Sequence, residues 1–366
     1  MKVPLVDLAA THSEIAEELR SAIDIVFETS AFAGGPAVQE FEAKFAEYCG
    51  TEHCVAVGSG TAALEILLRA YAIGPGDEVI LPAHTFVATA AAISLVGAKP
   101  VFVDVRDTTA NLDPALLAAA ISDSTRAIIP VHLYGQPAEM APIVELARQR
   151  GILVIEDACQ AHGATYRGKR VGSLGNAAAF SFYPTKNLGA AGEAGGITTN
   201  DNEVAKRARM LRDHGSNRKY CHELVGRNDR IDGIQAGVLC VKLAHLDRWN
   251  EMRRNVAIGY REGLANSNVR LLSVADGCDH VYHLFVIRVS NRDRVMALLK
   301  EQGIHTGIHY PVPLHLQLAF ADLGYQEGDF PVTEKLAKEI VSLPMYPHLQ
   351  AQQVDFVLAR LNDCVE

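Results

Sequence analysis

Short apolar runs recur along the chain as far as residue 199: Cys54–Val57, Glu78–Leu81, Pro100–Val105, Ala127–Val131, Ile152–Ile155, Ala177–Phe182 and Gly196–Thr199. Runs of this length without polar alternation are expected of strands buried on both faces. Between most of them lie stretches with helical spacing, among them Ala62–Tyr71, Asp113–Ser122 and Glu139–Arg150. This alternation predicts an α/β fold with a mainly parallel, seven-stranded sheet covered by helices. After Thr199 the pattern changes. A helix over Asp201–Asp213 leads into His214–Arg230, a polar stretch too irregular for a core element. Long ordered loops of this kind often serve function. Helices from Ile231 to Leu264, a strand over Val281–Val289, a helix over Arg292–Gln302 and a strand over Thr306–His309 predict a smaller C-terminal α+β domain. No linker or repeat marks the joint, and the division is read as 1–245 and 246–366.

Lys186 stands in Ala-Phe-Ser-Phe-Tyr-Pro-Thr-Lys-Asn-Leu-Gly (179–189), just after the expected strand Ala177–Phe182. A lysine is normally solvated because burying its charge is costly. Delivered from a core strand onto a tight turn, it faces a pocket. The chemistry that needs an amine there is Schiff-base formation with a carbonyl or with pyridoxal phosphate. On its own the run also describes a lysine whose stem is buried and whose head reaches water. Glu156-Asp157 closes the apolar run Ile152–Ile155, at the carboxyl end of an expected parallel strand. Ligands bind at such ends in open α/β sheets. Asp157 suits the carboxylate that keeps a pyridinium nitrogen protonated, with helix capping as its alternative. Gln160, three residues on, is expected to reach the ring's phenolic oxygen. Gly58-Ser59-Gly60-Thr61 joins a short strand to a helix, an arrangement that offers free N–H groups to phosphate, or simply caps the helix. It lacks the lysine of a Walker A loop and the glycine spacing of a dinucleotide fingerprint, which disfavours a dehydrogenase.

Five segments occur in order: Gly58–Thr61, Pro-Ala-His-Thr-Phe-Val-Ala-Thr (82–89), Glu-Asp-Ala-Cys-Gln-Ala-His-Gly-Ala (156–164), Ser-Phe-Tyr-Pro-Thr-Lys-Asn-Leu-Gly (181–189) and Gly-Arg-Asn-Asp-Arg-Ile-Asp-Gly-Ile-Gln-Ala (226–236). The set resembles the DegT/StrS-type nucleotide-sugar aminotransferases, pyridoxal-phosphate enzymes of fold type I, and the likeness runs from Pro4 to Tyr346. The resemblance implies that Lys186 is the Schiff-base lysine, Asp157 the pyridinium partner and Gln160 the group near the ring oxygen. It implies Phe86 as the aromatic stacked on the ring, and Gly60, Thr61 and Ser181 as phosphate contacts. Asn228 matches an asparagine that reaches the phosphate from the other subunit, so a homodimer with shared active sites is implied. Two positions depart from the family pattern: Ala194 replaces a common glycine, and Asp229 stands where an aromatic or small residue is frequent.

The segment 307–317 carries two prolines and the hydrogen-bonding tips of His309, Tyr310 and His315. A stiff polar rim of this kind suits a sugar; a structural loop with surface histidines is the alternative. Its His-Tyr-Pro-x-Pro-x-His form resembles members that aminate carbon 3 of a nucleotide-linked keto-hexose, with carbon 4 as the other position. Tyr183 and His162 fall near the expected cofactor, with packing as their alternative role. The implied reaction is a transamination. An amino donor, L-glutamate by resemblance, yields its amino group, and a nucleotide-linked keto-sugar, expected as a 3-keto-6-deoxyhexose, takes it up. The freed Lys186 amine moves the proton while Asp157 stabilises the ring. A dehydrating relative carries histidine in place of the lysine, and a non-catalytic relative is expected to have lost Lys186 or Asp157.

Composition narrows the classes further. A chain of 366 residues with 49% hydrophobic content can bury two domains. The formal charge of −9 disfavours a nucleic-acid partner. No run of about 18 uncharged apolar residues occurs, so no membrane span is expected, and the N-terminus has no signal-peptide core. Seven cysteines with no C-x-x-C pair fit reduced thiols in a cytoplasm. The 14 histidines show no metal-ligand spacing, so no metal is expected.

Overall fold

The computed structural model describes residues 1–365. Its central sheet contains β1 His53–Val57, β2 Glu78–Pro82, β3 Lys99–Val103, β4 Thr125–Ile128, β5 Leu153–Asp157, β6 Ala177–Ser181 and β7 Gly195–Thr199. The order is β1-β7-β6-β5-β4-β2-β3. β7 pairs antiparallel with both β1 and β6 while every other pairing is parallel, so six strands point one way. Alternate residues of β1 feed different cores. Val55 and Val57 pack with the helices Gly60–Ala70, Val87–Leu95 and Asn202–Arg212, whereas Cys54 and Ala56 join Phe41, Phe45 and Leu239 on the opposite face. Burial on both faces is why these strands read as unbroken apolar runs. Phe180 and Phe182 are fully buried, edge-on to Phe45 at 4.9 and 5.1 Å. Burying each such ring is worth about 1.5–3 kcal/mol, which pins the strand end from which the Lys186 turn departs.

The smaller lobe holds a three-stranded antiparallel sheet, β8 Arg270–Leu271, β9 Phe285–Arg288 and β10 Ile340–Leu343, in that order. Helices Arg292–Glu301 and Ala351–Val365 cover it, and Val3 from the N-terminus completes its core. The 31-residue helix Gly233–Gly263 runs unbroken through residue 245. Its first half packs into the large core through Leu239, Leu243 and Leu246, and its second into the small one through Val256, Ala257 and Tyr260.

Two local expectations are corrected. Asp113–Ser122 is not one helix but a tight turn, Pro114–Leu116, followed by the short helix Leu117–Ala120. Only Leu117 of that short helix is fully buried, too little packing to sustain more turns. Thr306–His309 does not form a strand. Gly307 makes one bridge to Ser342, with N–H···O distances of 3.1 and 2.8 Å, before Pro311 and Pro313 end any pairing. The stretch His214–Arg230 is irregular apart from a small hairpin, Ser216–Arg218 with Cys221–His222. Among the described residues no helix is long and apolar enough to cross a membrane.

Candidate active site

The carboxyl ends of β1, β5 and β6 converge on one cavity of about 430 Å³. The pleat of β5 splits the acidic pair. Glu156 turns inward and is fully buried, accepting from the amides of Gly172, Leu174 and Gly175 at 2.7–2.9 Å and pairing with His132 at 2.9 Å. Asp157 turns to the cavity. Its Oδ2 accepts from Thr89 Oγ1 at 2.8 Å and its Oδ1 from the Cys159 amide at 3.2 Å. Beyond β6 the chain makes the turn that carries Lys186, closed by Lys186 N–H to Tyr183 O at 2.9 Å and Ala190 N–H to Phe182 O at 2.8 Å. Burial lowers the basicity of the Lys186 amine, opposed by Cys159 and Asp157. After β1, Ser59 caps the helix Gly60–Ala70 through the Ala62 amide at 3.1 Å. A Cβ at Gly60 would lie 2.6 Å from Ser181 Cβ, so only glycine lets this helix end meet the end of β6.

Phe86, half exposed, lies 5.5 Å centroid to centroid from Tyr310 across the cavity. Buried Gln160 donates to the Tyr310 hydroxyl at 3.0 Å and accepts from the Tyr134 amide at 2.7 Å. Burial pushes the Tyr310 hydroxyl up. His309 Nδ1 meets Ser342 Oγ at 2.8 Å, and burial with the Lys186 charge pushes its ring down to about 4. Gly60, Thr61, Ser181 and Tyr183 complete the expected residues that line the cavity.

Two expected positions, His162 and His315, fall outside it, and Asn228, expected to serve the other subunit, lies outside its own chain's cavity. His162 is fully buried between Phe180 and Phe182, its ring pushed down to about 3 by burial and Lys186. His315 is buried as well, bonded to Glu334 at 3.0 Å and packed on Phe330. Asn228 is exposed and accepts from Arg230 at 3.1 Å, on a segment whose Asp229 carbonyl takes the Gly58 amide at 2.8 Å. The structure also adds residues to the site. Thr89 lies one helical turn after Phe86, a spacing that could have revealed it. His283 lines the cavity, its Nδ1 without a partner among the described residues, and burial followed by the Lys186 and Arg253 charges pushes its ring well down. Its signal was a lone imidazole inside the apolar run Val281–Val289.

A family model described as the DegT/DnrJ/EryC1/StrS aminotransferase family matches residues 13–362. The chain belongs to this family. Its relatives include a "Pleiotropic regulatory protein" of Geobacillus stearothermophilus, 49% identical over 99% of this chain and 98% of that one. They also include a dTDP-3-amino-3,4,6-trideoxy-alpha-D-glucose transaminase of Streptomyces venezuelae, 46% identical over 100% of this chain and 97% of the relative. Among solved structures, S. venezuelae DesV in complex with a ketimine intermediate superposes with a TM-score of 0.98, at 46% identity and coverage of 100% of this chain and 99% of that one. NtdA of Bacillus subtilis, solved with bound cofactor PMP, does so with a TM-score of 0.93, at 33% identity and coverage of 100% of this chain and 85% of that one.

Proposed function

We propose that the chain is a pyridoxal-phosphate aminotransferase that moves the amino group of L-glutamate onto carbon 3 of a 3-keto-6-deoxyhexose carried on a nucleoside diphosphate. The observation that carries this reading is one cavity holding the Lys186 amine, the Asp157 carboxylate and the Gly60–Ser181 cradle. The cradle fits a phosphate, because the helix Gly60–Ala70 offers its first N–H groups where no side chain intervenes. Gly60, Thr61 and Ser181 would hold the phosphate, Asp157 the ring nitrogen, Gln160 the ring oxygen and Phe86 the ring face. When bound, the cofactor supplies a positively charged ring that takes up the electron pair of a breaking C–H bond next to nitrogen.

Lys186 Nζ, its basicity lowered by burial, offers a lone pair that takes the proton from the donor's α-carbon and returns a proton to the product side. Asp157, fixed by Thr89, would hold its carboxylate against the ring nitrogen. His309 and His283 are held uncharged beside Lys186 and present hydrogen-bonding edges to a sugar. The 3-amino product in the name of the S. venezuelae relative supports carbon 3 over carbon 4. The regulatory name of another relative is outweighed here by an intact Lys186, Asp157 and cavity.

In the same reading the enzyme is a homodimer, and Asn228, outside its own chain's cavity, serves the partner's phosphate. The cofactor-binding domain is 1–245 and the small domain 246–366, with the helix Gly233–Gly263 as a shared spine. Seven free cysteines support a cytoplasmic setting. The test is a pair of half-reactions followed by absorbance, glutamate first and a nucleotide-linked 3-keto-sugar second, with the product position read by NMR. An amine on carbon 4 overturns the position; no spectral change with any amino donor overturns the reaction.

A further inference from the structure

Lys242 lies in the first half of the helix Gly233–Gly263 and is 3% exposed. Lysines are almost never buried this far without a carboxylate partner. Among the described residues Lys242 has none. Its Nζ donates to the Gly189 carbonyl at 2.5 Å and lies 3.1 Å from His12 Nε2. Burial pushes the amine down to about 8, and burial, followed by the Lys242 charge, lowers the basicity of the His12 ring. An apolar side chain of similar length would fill this space without the desolvation cost, so the amine is there for what it binds.

What it binds is the base of the Lys186 turn. Gly189 is folded so closely onto Pro184 that an added Cβ would lie 2.3 Å from the Pro184 carbonyl oxygen. One residue on, Ala190 N–H closes the turn onto Phe182. Among the described hydrogen bonds the Gly189 carbonyl has no donor but Lys242. Behind the turn lies a seam of about 20 Å³, room for about one water, touched by Lys186, Lys242, Asp7, His12 and Arg253. His12 belongs to the helix Leu8–Glu14, which is anchored in turn where Glu14 accepts from Trp249 Nε1 at 3.1 Å and meets His348 at 2.8 Å.

We propose that Lys242 is a positioning residue for Lys186: its ammonium clamps the Gly189 carbonyl and, through His12, ties the reactive turn to the N-terminal helix. The inference rests on the reading of Lys186 as the reactive amine. A small misplacement of a reacting group is costly, about 10²-fold for 1 Å, so a loosened turn should slow chemistry more than binding.

The test compares wild type with Lys242→Met by amide hydrogen exchange, half-reaction kinetics and borohydride reduction of the cofactor-loaded protein. Lys242→Met should speed exchange at 185–190 by about tenfold or more while β6 stays protected, since local opening is read segment by segment. It should lower kcat by about 10–100-fold with KM for glutamate little changed. Unchanged exchange in the turn, or a loss of protection spread evenly over the whole chain, overturns the clamp. Should the methionine variant not fold, His12→Ala carries the test: it removes the amine's other partner, and turn exchange rises severalfold or the clamp falls. Borohydride separates the two readings. A wild type labelled at Lys186 beside an indifferent Lys242→Met variant discards only the clamp; a wild type with no label at Lys186 discards the reading of Lys186 and the clamp with it.

Discussion

The two sides of the cavity are built differently. On the sheet side, Asp157 and Ser181 close β5 and β6, and Gly60 and Thr61 open the helix after β1. Strand direction and pleat alone bring them together. On the rim, three polar tips fall within seven residues, yet only His309 and Tyr310 face the cavity. After Pro313 the tight turn Leu314–Leu316 carries His315 inward, where Glu334 and Phe330 take it up. A sheet edge fixes which way a side chain faces by periodicity, whereas a loop leaves that to whichever partner lies nearby.

Substitutions on the sheet side should have the largest effects. Lys186→Ala should cost about 10³-fold or more in turnover with the far-ultraviolet spectrum unchanged, because carrier and proton-transfer roles vanish together. Asp157→Asn keeps the Thr89 contact but removes the charge, and should cost about 10²-fold or more in single-turnover rate; a loss within threefold would take this carboxylate out of the chemistry. Mixing inactive Lys186→Ala with inactive Asn228→Asp subunits should rebuild part of the activity. Freely exchanging subunits that regain none would show that the site is not shared.

The rim variants should separate. His309→Ala should slow the sugar half-reaction by about 5–150-fold, the equivalent of about 1–3 kcal/mol for a lost polar contact, and leave the glutamate half-reaction nearly untouched. His315→Ala should lower unfolding free energy by about 1–3 kcal/mol, since it strips a partner from Glu334, with equal losses in both half-reactions. Equal behaviour of the two variants would erase the distinction between rim and core.

The smallest effect concerns pH. Burial raises the Glu334 carboxyl, but hydrogen bonds from the Gly328 amide, His315 and the Phe330 amide outweigh it and hold the group below its ordinary value of 4.5. A depressed carboxylate stabilises the fold above that value, and the contribution is lost as pH falls below it. Stability curves of Glu334→Gln and wild type should therefore converge as the solution is acidified, and a gap independent of pH would contradict this.

Much of this was legible in the residues. The strand runs were readable because burial on both faces leaves little polar interruption, as in Val79, Ile80 and Leu81, all fully buried. Lys186 and Asp157 were readable because each stands at the end of such a run. Gln160 was placed by its three-residue offset from Asp157, and it does reach the cavity. What escaped depends on contacts between distant segments. The burial of His315 is decided by Glu334, 19 residues on. His283 lay hidden in a strand-like run that begins forming ladder bonds only at Phe285. Lys242 reads as one more helix cation until its contact with Gly189, 53 residues away, is seen.

Reduction of the purified, cofactor-loaded protein with borohydride, followed by peptide mapping, distinguishes Lys186 from every other amine. One pyridoxyl phosphate adduct is expected, on the peptide that carries Lys186. An adduct on any other lysine, or a protein that takes up no cofactor at all, would contradict the reading of Lys186 as the reactive amine.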